Sequence, residues 1–325
     1  MNNVTETIRP RHEGYATGCD VLFALFPLAF MAVYLYGPRP ALMLGVALLT
    51  AFICDFLVAL LRHYPHDNTE NSSFVYAAIF TLMLPATAPY YMIVIGVAIA
   101  VLIGKHIFGG WGSYPFNPAA VGYAVVTISW PEMLFKYPQP FSTLSLFGAS
   151  DVPLIEASAH TLKNGGVPNI PTLDLILGSY AGPMGTTFCI VIAASAIYLL
   201  VRRRITLELP VSFLATCVVI SLLMPRITMA ARLDVVKYEL LSGALLFGSI
   251  FLVCNATTAP KNKLARVLYG ILCGFLTMMF RYYGAYELGV CFAVLLANAF
   301  SGYLDRICSA RTLHKKLNGG KQNES

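Results

Sequence analysis

The segment Ile155 to Gly166, IEASAHTLKNGG, is a polar stretch inside a chain that is otherwise largely apolar. Its residue types could hold a phosphate-bearing group. Thr161 offers a hydroxyl for an ester, Lys163 and His160 offer positive charge, and two terminal glycines allow a flexible turn. Taken alone, such a threonine is more often a helix cap or a turn hydroxyl. The segment is therefore a first candidate site with two open interpretations.

A second candidate is the glycine-rich segment from Gly104 to Gly122, GKHIFGGWGSYPFNPAAVG. It cannot continue a helix, and irregular backbone at membrane depth survives only where protein or a cavity satisfies its polar groups. Asn117 before Pro118 predicts an N-cap and a new half-helix, whose positive end could hold an anion or an electron-rich ring. The alternative is a loop that only allows helices to pack closely.

Asp55 is the clearest ionisable residue inside an apolar run, about six residues, or roughly 9 Å, from the predicted cytoplasmic end of its helix. A charge at this depth costs roughly 2.5–3.5 kcal/mol unless it is paired or hydrated. Asp55 is thus either part of a sodium or proton path or a partner of Lys105 or His106. Three residues at predicted span ends are expected to extend toward water: Arg281, Glu287 and Asp305.

The composition is that of an integral membrane protein. Of 325 residues, 57% are hydrophobic and only 12% are charged, and the mean hydropathy is +0.68. Such a chain is too apolar for a soluble domain. A transmembrane helix needs about 17–25 apolar residues, so there is room for roughly ten spans. The polar N-terminus lacks the apolar core of a signal peptide, and we expect it to stay in the cytoplasm.

Basic residues predict the orientation. The predicted spans are the apolar runs between glycine, proline and charged residues: 20–36, 41–61, 73–88, 90–108, 117–131, 183–201, 208–224, 238–254, 264–282 and 286–304. With the N-terminus inside, fifteen of the 22 Lys and Arg residues are cytoplasmic. The positive-inside rule then places both termini in the cytoplasm. Basic clusters beside the lipid bilayer account for the net charge of +6, and no nucleic-acid partner is expected.

The chain contains an internal similarity. Phe80–Pro89, FTLMLPATAP, aligns with Phe251–Pro260, FLVCNATTAP, and a chance match is the alternative to a repeat. Five spans per half is an odd number, so the halves would be inverted, as in many transporters. The predicted fold is an all-α polytopic membrane protein with about ten transmembrane helices in two inverted five-helix repeats with broken or re-entrant helices. Its predicted parts are a first repeat, an extracytoplasmic loop, a second repeat and a basic cytoplasmic tail: 1–131, 132–182, 183–308 and 309–325.

Two kinds of cofactor site are not expected in this chain. The eight cysteines are scattered singly without metal-ligand spacing, which favours small buried side chains over iron–sulfur ligands or disulfides. A dinucleotide-binding glycine motif followed by an acidic residue does not occur. Partner chains must therefore supply any iron–sulfur or nucleotide chemistry.

The segment Gly104–Ala119, GKHIFGGWGSYPFNPA, closely resembles the signature loop of one membrane-protein family. Its members are the D subunit of the Rnf complex, the ion-translocating ferredoxin:NAD oxidoreductase, and the B subunit of the sodium-pumping NADH:quinone reductase. The length and the short N-terminal arm favour the Rnf type. The resemblance extends through four further segments: ISWP at 128–131, LDLILGSYAGPMG at 173–185, ATTAP at 256–260 and YYGAYELGVCFAVLLANAF at 282–300.

The resemblance implies a covalent flavin. Family members carry FMN attached through its phosphate to a threonine, in a motif close to Ser-Gly-Ala-Thr in the loop after the fifth span. The matching stretch here is SAHTLK, so Thr161 is the implied anchor, with Ser158, His160 and Lys163 around it. Alanine and histidine replace the usual glycine and alanine. Ser158 and Thr172 are weaker candidates for the attachment, and a flavin transferase is implied for maturation.

The resemblance also implies a second, noncovalent flavin such as riboflavin. We expect it near Gly109–Asn117 or near the related segment Asn255–Pro260.

The function implied by the resemblance is electron transfer coupled to Na⁺ or H⁺ translocation. The chain would be the flavin-carrying membrane subunit of an Rnf-type translocase in a bacterial or archaeal cell membrane, between ferredoxin and NAD, with the A, B, C, E and G subunits as partners. By itself it would not be catalytic. The alternative class is a solute channel or secondary transporter, because inverted repeats with broken helices also build pores.

Overall fold

A computed structural model describes most of the chain: residues 2–63, 70–147, 152–156, 161, 166, 170–225, 232–242, 244–284 and 288–322, with backbone alone at 2–13, 232–233 and 311–322. The architecture, contacts and cavities below are those of these residues.

Five helical segments form the first part of the chain: α1 (Asn2–Tyr36), α2 (Arg39–Leu61), α3 (Ser72–Leu82), α4 (Tyr90–Ala98) with a π-helical continuation (Ile99–His106), and α5 (Pro118–Ser129). Short elements follow: α6 (Pro131–Leu134), β1 (Lys136–Pro138), β2 (Leu154–Glu156) and α7 (Thr172–Leu177). The remaining helices are α8 (Cys189–Val201), α9 (Glu208–Leu223), α10 (Arg232–Leu241), α11 (Leu245–Phe251), α12 (Lys263–Tyr283) and α13 (Gly289–Gln322).

The described helices are those of an all-α membrane protein. Four of them are long and apolar enough to cross a bilayer: Gly14–Tyr36, Arg39–Leu61, Lys263–Tyr283 and Gly289–Ala310. Five shorter apolar helices accompany them: Ser72–Leu82, Tyr90–His106, Pro118–Ser129, Cys189–Val201 and Glu208–Leu223. Large apolar side chains remain exposed on these helices, as expected where lipid replaces water.

Three features differ from the sequence predictions. The run 73–88 is helical only to Leu82, because Pro85 within it cannot continue a helix. The run 238–254 is divided between α10 and α11. The loop 132–182 contains a two-stranded antiparallel ribbon that pairs Lys136 with Glu156, which the all-α prediction did not include.

Arginines satisfy carbonyl groups at the two breaks predicted to lie toward the outer side. Arg39 donates to the carbonyl of Thr87, 3.4 Å away, after α3. Arg281 donates to the carbonyls of Glu239 at 2.7 Å and Ser242 at 3.0 Å, between α10 and α11. A broken helix inside a membrane leaves carbonyls without intrahelical partners, and the fork of an arginine supplies several donors at once.

The same arrangement recurs at the two breaks predicted to lie toward the cytoplasm. Arg62 donates to the carbonyl of His106 at 2.6 Å, where the π-helical segment ends. Arg266 donates to the carbonyl of Pro260 at 3.0 Å, before α12. The charged side chains of the membrane region therefore stabilise its irregular backbone.

The glycine-rich turn after His106 depends on the glycines themselves. Gly109, Gly110 and Gly112 have φ values of +107°, +93° and +85°. Residues with a Cβ rarely adopt this left-handed region, so three such positions in four residues account for the sequence IFGGWG. The turn redirects the chain and leads it into α5.

Backbone hydrogen bonds join the second part of the chain to the broken helix after α3. The backbone N–H groups of Met184 and Gly185 donate to the carbonyls of Leu84 and Leu82, at 3.0 and 2.9 Å. One continuous buried core joins side chains from both parts. The segment that follows the loop 132–182 is thereby attached to the first break.

Candidate functional site

Thr161 is held close to Gly166 by a backbone hydrogen bond. The Gly166 N–H donates to the Thr161 carbonyl at 3.0 Å. A Cβ at Gly166 would lie 3.1 Å from the Thr161 Cγ2, so a glycine allows the chain to turn closely here. Thr161 is partly exposed, and Ser158, His160 and Lys163 lie outside the described residues. Thr161 is thus partly accessible, and the predicted charge around its hydroxyl stays a prediction.

Both ends of the loop 132–182 are attached to the helices. At its N-terminal end, Arg39 donates to the carbonyl of Ser145 at 2.8 Å. At its C-terminal end, the Tyr180 hydroxyl donates to the carbonyl of Leu241 at 2.9 Å. Leu175, at the base of the loop, is buried in a small cluster between α7 and α10. The loop is therefore held over the breaks after α3 and α10.

Asn117 is the N-cap of α5, as Asn-Pro predicted. Its Oδ1 accepts from the Ala119 N–H at 3.1 Å, and its Nδ2 donates to the Leu252 carbonyl at 3.1 Å. The residue is fully buried. One side chain thus begins α5 and fastens it to the break after α11, so the irregular segments of the two parts meet here. A contact of Asn117 with a cofactor stays a prediction.

A cavity of about 310 Å³ lies between the N-terminal part of α1, α3, the C-terminal end of α8 and the break after α11. Its walls are mainly apolar and include Val21, Val75, Ile79, Leu199, Ile250 and Phe251. Its polar lining comes from seven residues: Thr17, Ser72, Tyr76, Trp111, Arg204, Asn255 and Thr257. An apolar cavity with a few convergent polar groups has the build of a small-molecule site. It joins the two segments at which the sequence predicted a noncovalent flavin.

Asp20 holds the basic residues beside this cavity. It accepts from the Nε of Arg204 at 2.6 Å, from Arg202 at 3.0 Å and from the Tyr198 hydroxyl at 3.1 Å. Asp20 is itself buried. Two guanidinium groups for one carboxylate leave this end of the cavity electropositive, which suits an occupant with carbonyl or anionic acceptors.

Asp55 belongs to a cluster of buried charges. It lies 2.6 Å from the His106 Nε2 and 3.4 Å from the Lys105 Nζ. Lys105 also contacts Glu70 at 2.8 Å and donates to the Ser73 hydroxyl at 2.6 Å. The structure therefore gives Asp55 the two partners that the sequence offered as an alternative to an ion path. Glu70 is a member of this group that no sequence pattern indicated.

Arg281 was predicted wrongly as a residue that extends toward water. Its side chain is 3% exposed and contacts the Glu239 carboxylate at 3.1 Å, with Glu239 at 0%. The two residues are 42 positions apart, and no local pattern signals the pairing. Asp305, by contrast, reaches the surface and accepts from the Lys261 N–H at 2.9 Å. Glu287 lies outside the described residues.

Helices with arginine-stabilised breaks, an apolar exposed surface and buried ion pairs define a polytopic membrane protein of the all-α class. The chain belongs to the NQR2, RnfD, RnfE family, whose model matches residues 8–314. The resemblance carried by the glycine-rich loop is thus confirmed.

Three relatives illustrate the match, and each is named as the D subunit of its complex. The relative from the "Ion-translocating oxidoreductase complex" of Pectobacterium atrosepticum is 30% identical over 310 residues, covering 86% of this chain and 88% of the relative. The relative of the same name from Pseudomonas aeruginosa is 31% identical over 316 residues, covering 92% of both chains. The relative from the "Proton-translocating ferredoxin:NAD(+) oxidoreductase complex" of Clostridium ljungdahlii is 28% identical over 295 residues, covering 88% of both.

Proposed function

We propose that this chain is the flavin-carrying D subunit of an Rnf-type membrane complex that passes electrons between ferredoxin and NAD and couples this to Na⁺ or H⁺ translocation. The observation that carries the proposal is the near full-length match to proteins named for this activity, over about nine tenths of both chains. Its partners would be the A, B, C, E and G subunits, and catalysis would belong to the assembled complex.

Thr161 is the proposed attachment point of FMN. Its partly exposed position, hydrogen-bonded to Gly166, suits a residue that a flavin transferase must reach. When bound there, FMN would supply one-electron chemistry, while the loop supplies its position. Thr172 is the alternative attachment point and serves as the matched control. Its hydroxyl accepts a hydrogen bond from the Lys237 ammonium at 3.3 Å.

The cavity beside Trp111 is the proposed site of a second, noncovalent flavin such as riboflavin. The apolar walls suit the faces of a planar ring, and Asn255 and Thr257 offer polar groups to its edge. Arg204 adds donors for carbonyl oxygens at the electropositive end. The fit of size and polarity supports a neutral or carbonyl-rich aromatic ligand.

The proposed arrangement places the two flavins toward opposite faces of the membrane. The loop is attached at the N-terminal end of α8, whereas the cavity lies at its C-terminal end. A helix of 13 residues separates these ends by about 20 Å. Ten spans in two inverted repeats, with both termini in the cytoplasm of a bacterial or archaeal cell, would put Thr161 outside. Labelling of introduced cysteines by membrane-impermeant reagents tests this, with Lys136→Cys expected outside and Lys263→Cys inside.

Asp55 is the proposed ionisable group of an ion path at the cytoplasmic side. Its carboxylate is 11% exposed and stays within reach of Lys105 and His106. A buried charge of this kind marks ion pathways in many membrane proteins. Partial exposure would let an ion enter from the cytoplasm while the basic partners hold the carboxylate in place.

The covalent flavin is tested by co-expressing the complex with its flavin transferase, denaturing it and viewing the gel under ultraviolet light. We expect fluorescence at the mass of this chain in the wild type and in Thr172→Ala, and none in Thr161→Ala. A colourless wild-type band would contradict the proposal and favour the solute channel or transporter. Fluorescence lost only in Thr172→Ala would move the attachment point.

A further inference from the structure

We infer that Tyr76 and Tyr114 form a proton relay between the buried cluster around Lys105 and the cavity beside Trp111. The inference rests on the proposed function in one respect: a redox ring must occupy the cavity. It goes beyond that function because it assigns a role to two phenols and to the charge cluster.

The two phenols form a buried pair that borders the cavity. Their hydroxyl oxygens are 2.5 Å apart, and the side chains are 5% and 2% exposed. Asn255 donates to the Tyr76 hydroxyl at 3.3 Å, and Tyr76 and Asn255 both line the cavity. The Tyr76 phenol therefore borders the cavity, and the Tyr114 phenol is its hydrogen-bonded neighbour.

The charge cluster lies one helical turn from this pair. Ser73, which accepts from the Lys105 ammonium at 2.6 Å, is three residues before Tyr76 on α3. Residues at this spacing share one face of a helix, with their Cβ atoms about 5–6 Å apart. Lys105 is almost fully buried, whereas its partner Glu70 is 30% exposed. Glu70, Lys105 and Ser73 thus form a polar chain that begins at a partly exposed carboxylate and ends one helical turn from Tyr76.

Each proton transfer along this route conserves charge. When a one-electron carrier of the complex delivers an electron to the cavity, Tyr76 donates its phenolic proton there and takes the proton of Tyr114. The Lys105 ammonium reprotonates the phenol pair and becomes a neutral amine. A proton from cytoplasmic water passes over the Glu70 carboxylate to that amine. One proton has then entered with one electron, and each side chain has regained its charge.

The other charged groups near this route have defined roles. Asp55 lies 3.4 Å from the Lys105 Nζ and 2.6 Å from the His106 Nε2, so both basic groups share this carboxylate. Arg204, which also lines the cavity, is engaged by the Asp20 carboxylate. Ser72 also lines the cavity and donates to the Glu70 carboxylate at 2.6 Å, so it offers a second polar link that unchanged proton uptake in both phenol variants would favour.

The test uses the purified complex and two isosteric variants, Tyr76→Phe and Tyr114→Phe. Each keeps the ring and removes the hydroxyl. Two quantities are recorded: the noncovalent flavin released on denaturation, and the rate of proton uptake on photoreduction, followed with a pH-indicator dye. We expect wild-type flavin content in both variants and proton uptake slowed by about 10²-fold, the usual contribution of a positioned proton donor. Tyr269→Phe, whose buried hydroxyl donates to Asn298 between α12 and α13, is expected to behave as wild type.

Wild-type proton uptake in both variants with flavin retained would overturn the relay. Loss of the noncovalent flavin from both would also overturn it, because the phenols would then only shape the cavity. A wild-type complex without noncovalent flavin would remove the cavity's proposed cofactor and the relay together. The gel assay for Thr161 is independent of that result, so the two failures can be told apart.

Discussion

The Arg281 guanidinium lies 3.1 Å from the Glu239 carboxylate, and both side chains are buried. Removing one partner of such a pair leaves an uncompensated charge, which costs about 3–5 kcal/mol. We therefore expect Arg281→Met and Glu239→Leu each to lower the stability of the folded chain severely. Heating in detergent followed by size-exclusion chromatography measures this loss.

The double variant that combines Arg281→Met with Glu239→Leu separates the cost of an unpaired charge from the cost of altered packing. With both residues apolar, no charge is left unpaired, and such replacements are often neutral. Arg281 also donates to the carbonyls of Glu239 and Ser242, so we expect only partial recovery of stability. A double variant as unstable as the sum of the two single variants would contradict the coupling.

Asn117→Asp is expected to destabilise the chain by about 1–3 kcal/mol. The aspartate keeps an acceptor for the Ala119 N–H but loses the donor to the Leu252 carbonyl and buries a charge. Asn262 is a matched control, since it caps α12 by accepting from the Leu264 N–H at 3.0 Å. Asn262→Asp should cost less than Asn117→Asp at this exposed cap, although Asp305 accepts from the Asn262 N–H nearby. Equal thermal shifts in the two variants would argue against the link between α5 and the break after α11.

Gly122→Ala tests the close packing of α5 against α4. A Cβ at Gly122 would lie 2.5 Å from the Gly96 carbonyl oxygen, and such overpacking typically costs about 1–3 kcal/mol. Gly45 on α2 has nothing within 4 Å of its Cβ position, so Gly45→Ala should be neutral or slightly stabilising. Thermal stability in detergent compares the two. A harmless Gly122→Ala would show that the two helices do not approach this closely.

Asp55→Asn tests the proposed ion path. The variant removes the negative charge beside Lys105 and His106 but keeps an amide oxygen that can accept hydrogen bonds. In sealed vesicles that contain the complex, we expect ferredoxin-dependent NAD reduction to continue while ion uptake per NAD is lost. Asp305→Asn is the control, because this carboxylate accepts from backbone N–H groups at the start of α12. Unchanged ion uptake in Asp55→Asn would leave Asp55 as a structural ion-pair partner.

Local patterns predicted the features that depend on neighbouring residues. Asn117 before Pro118 identified the start of α5, since an N-cap involves groups two residues apart. Asp55 and its basic partners could be proposed because each is an ionisable residue inside an apolar run, where it must be paired. The glycines of IFGGWG identified an irregular turn because their backbone conformation is a local property.

Features that join distant parts of the chain could not be predicted in this way. The Glu239–Arg281 pair depends on how α10 and α12 pack. The ribbon that pairs Lys136 with Glu156 consists of three-residue strands, too short for an alternating pattern. The cavity beside Trp111 takes its walls from segments as far apart in sequence as Gly14 and Thr257. Only the assembled helices bring these groups together.

The central claim is tested most directly by peptide mass spectrometry of this chain from an active complex. The account predicts that the peptide containing Thr161 carries the mass of FMN less one water, and that fragmentation assigns the addition to Thr161. A bare peptide throughout residues 132–182 in a complex that still reduces NAD with ferredoxin would contradict it.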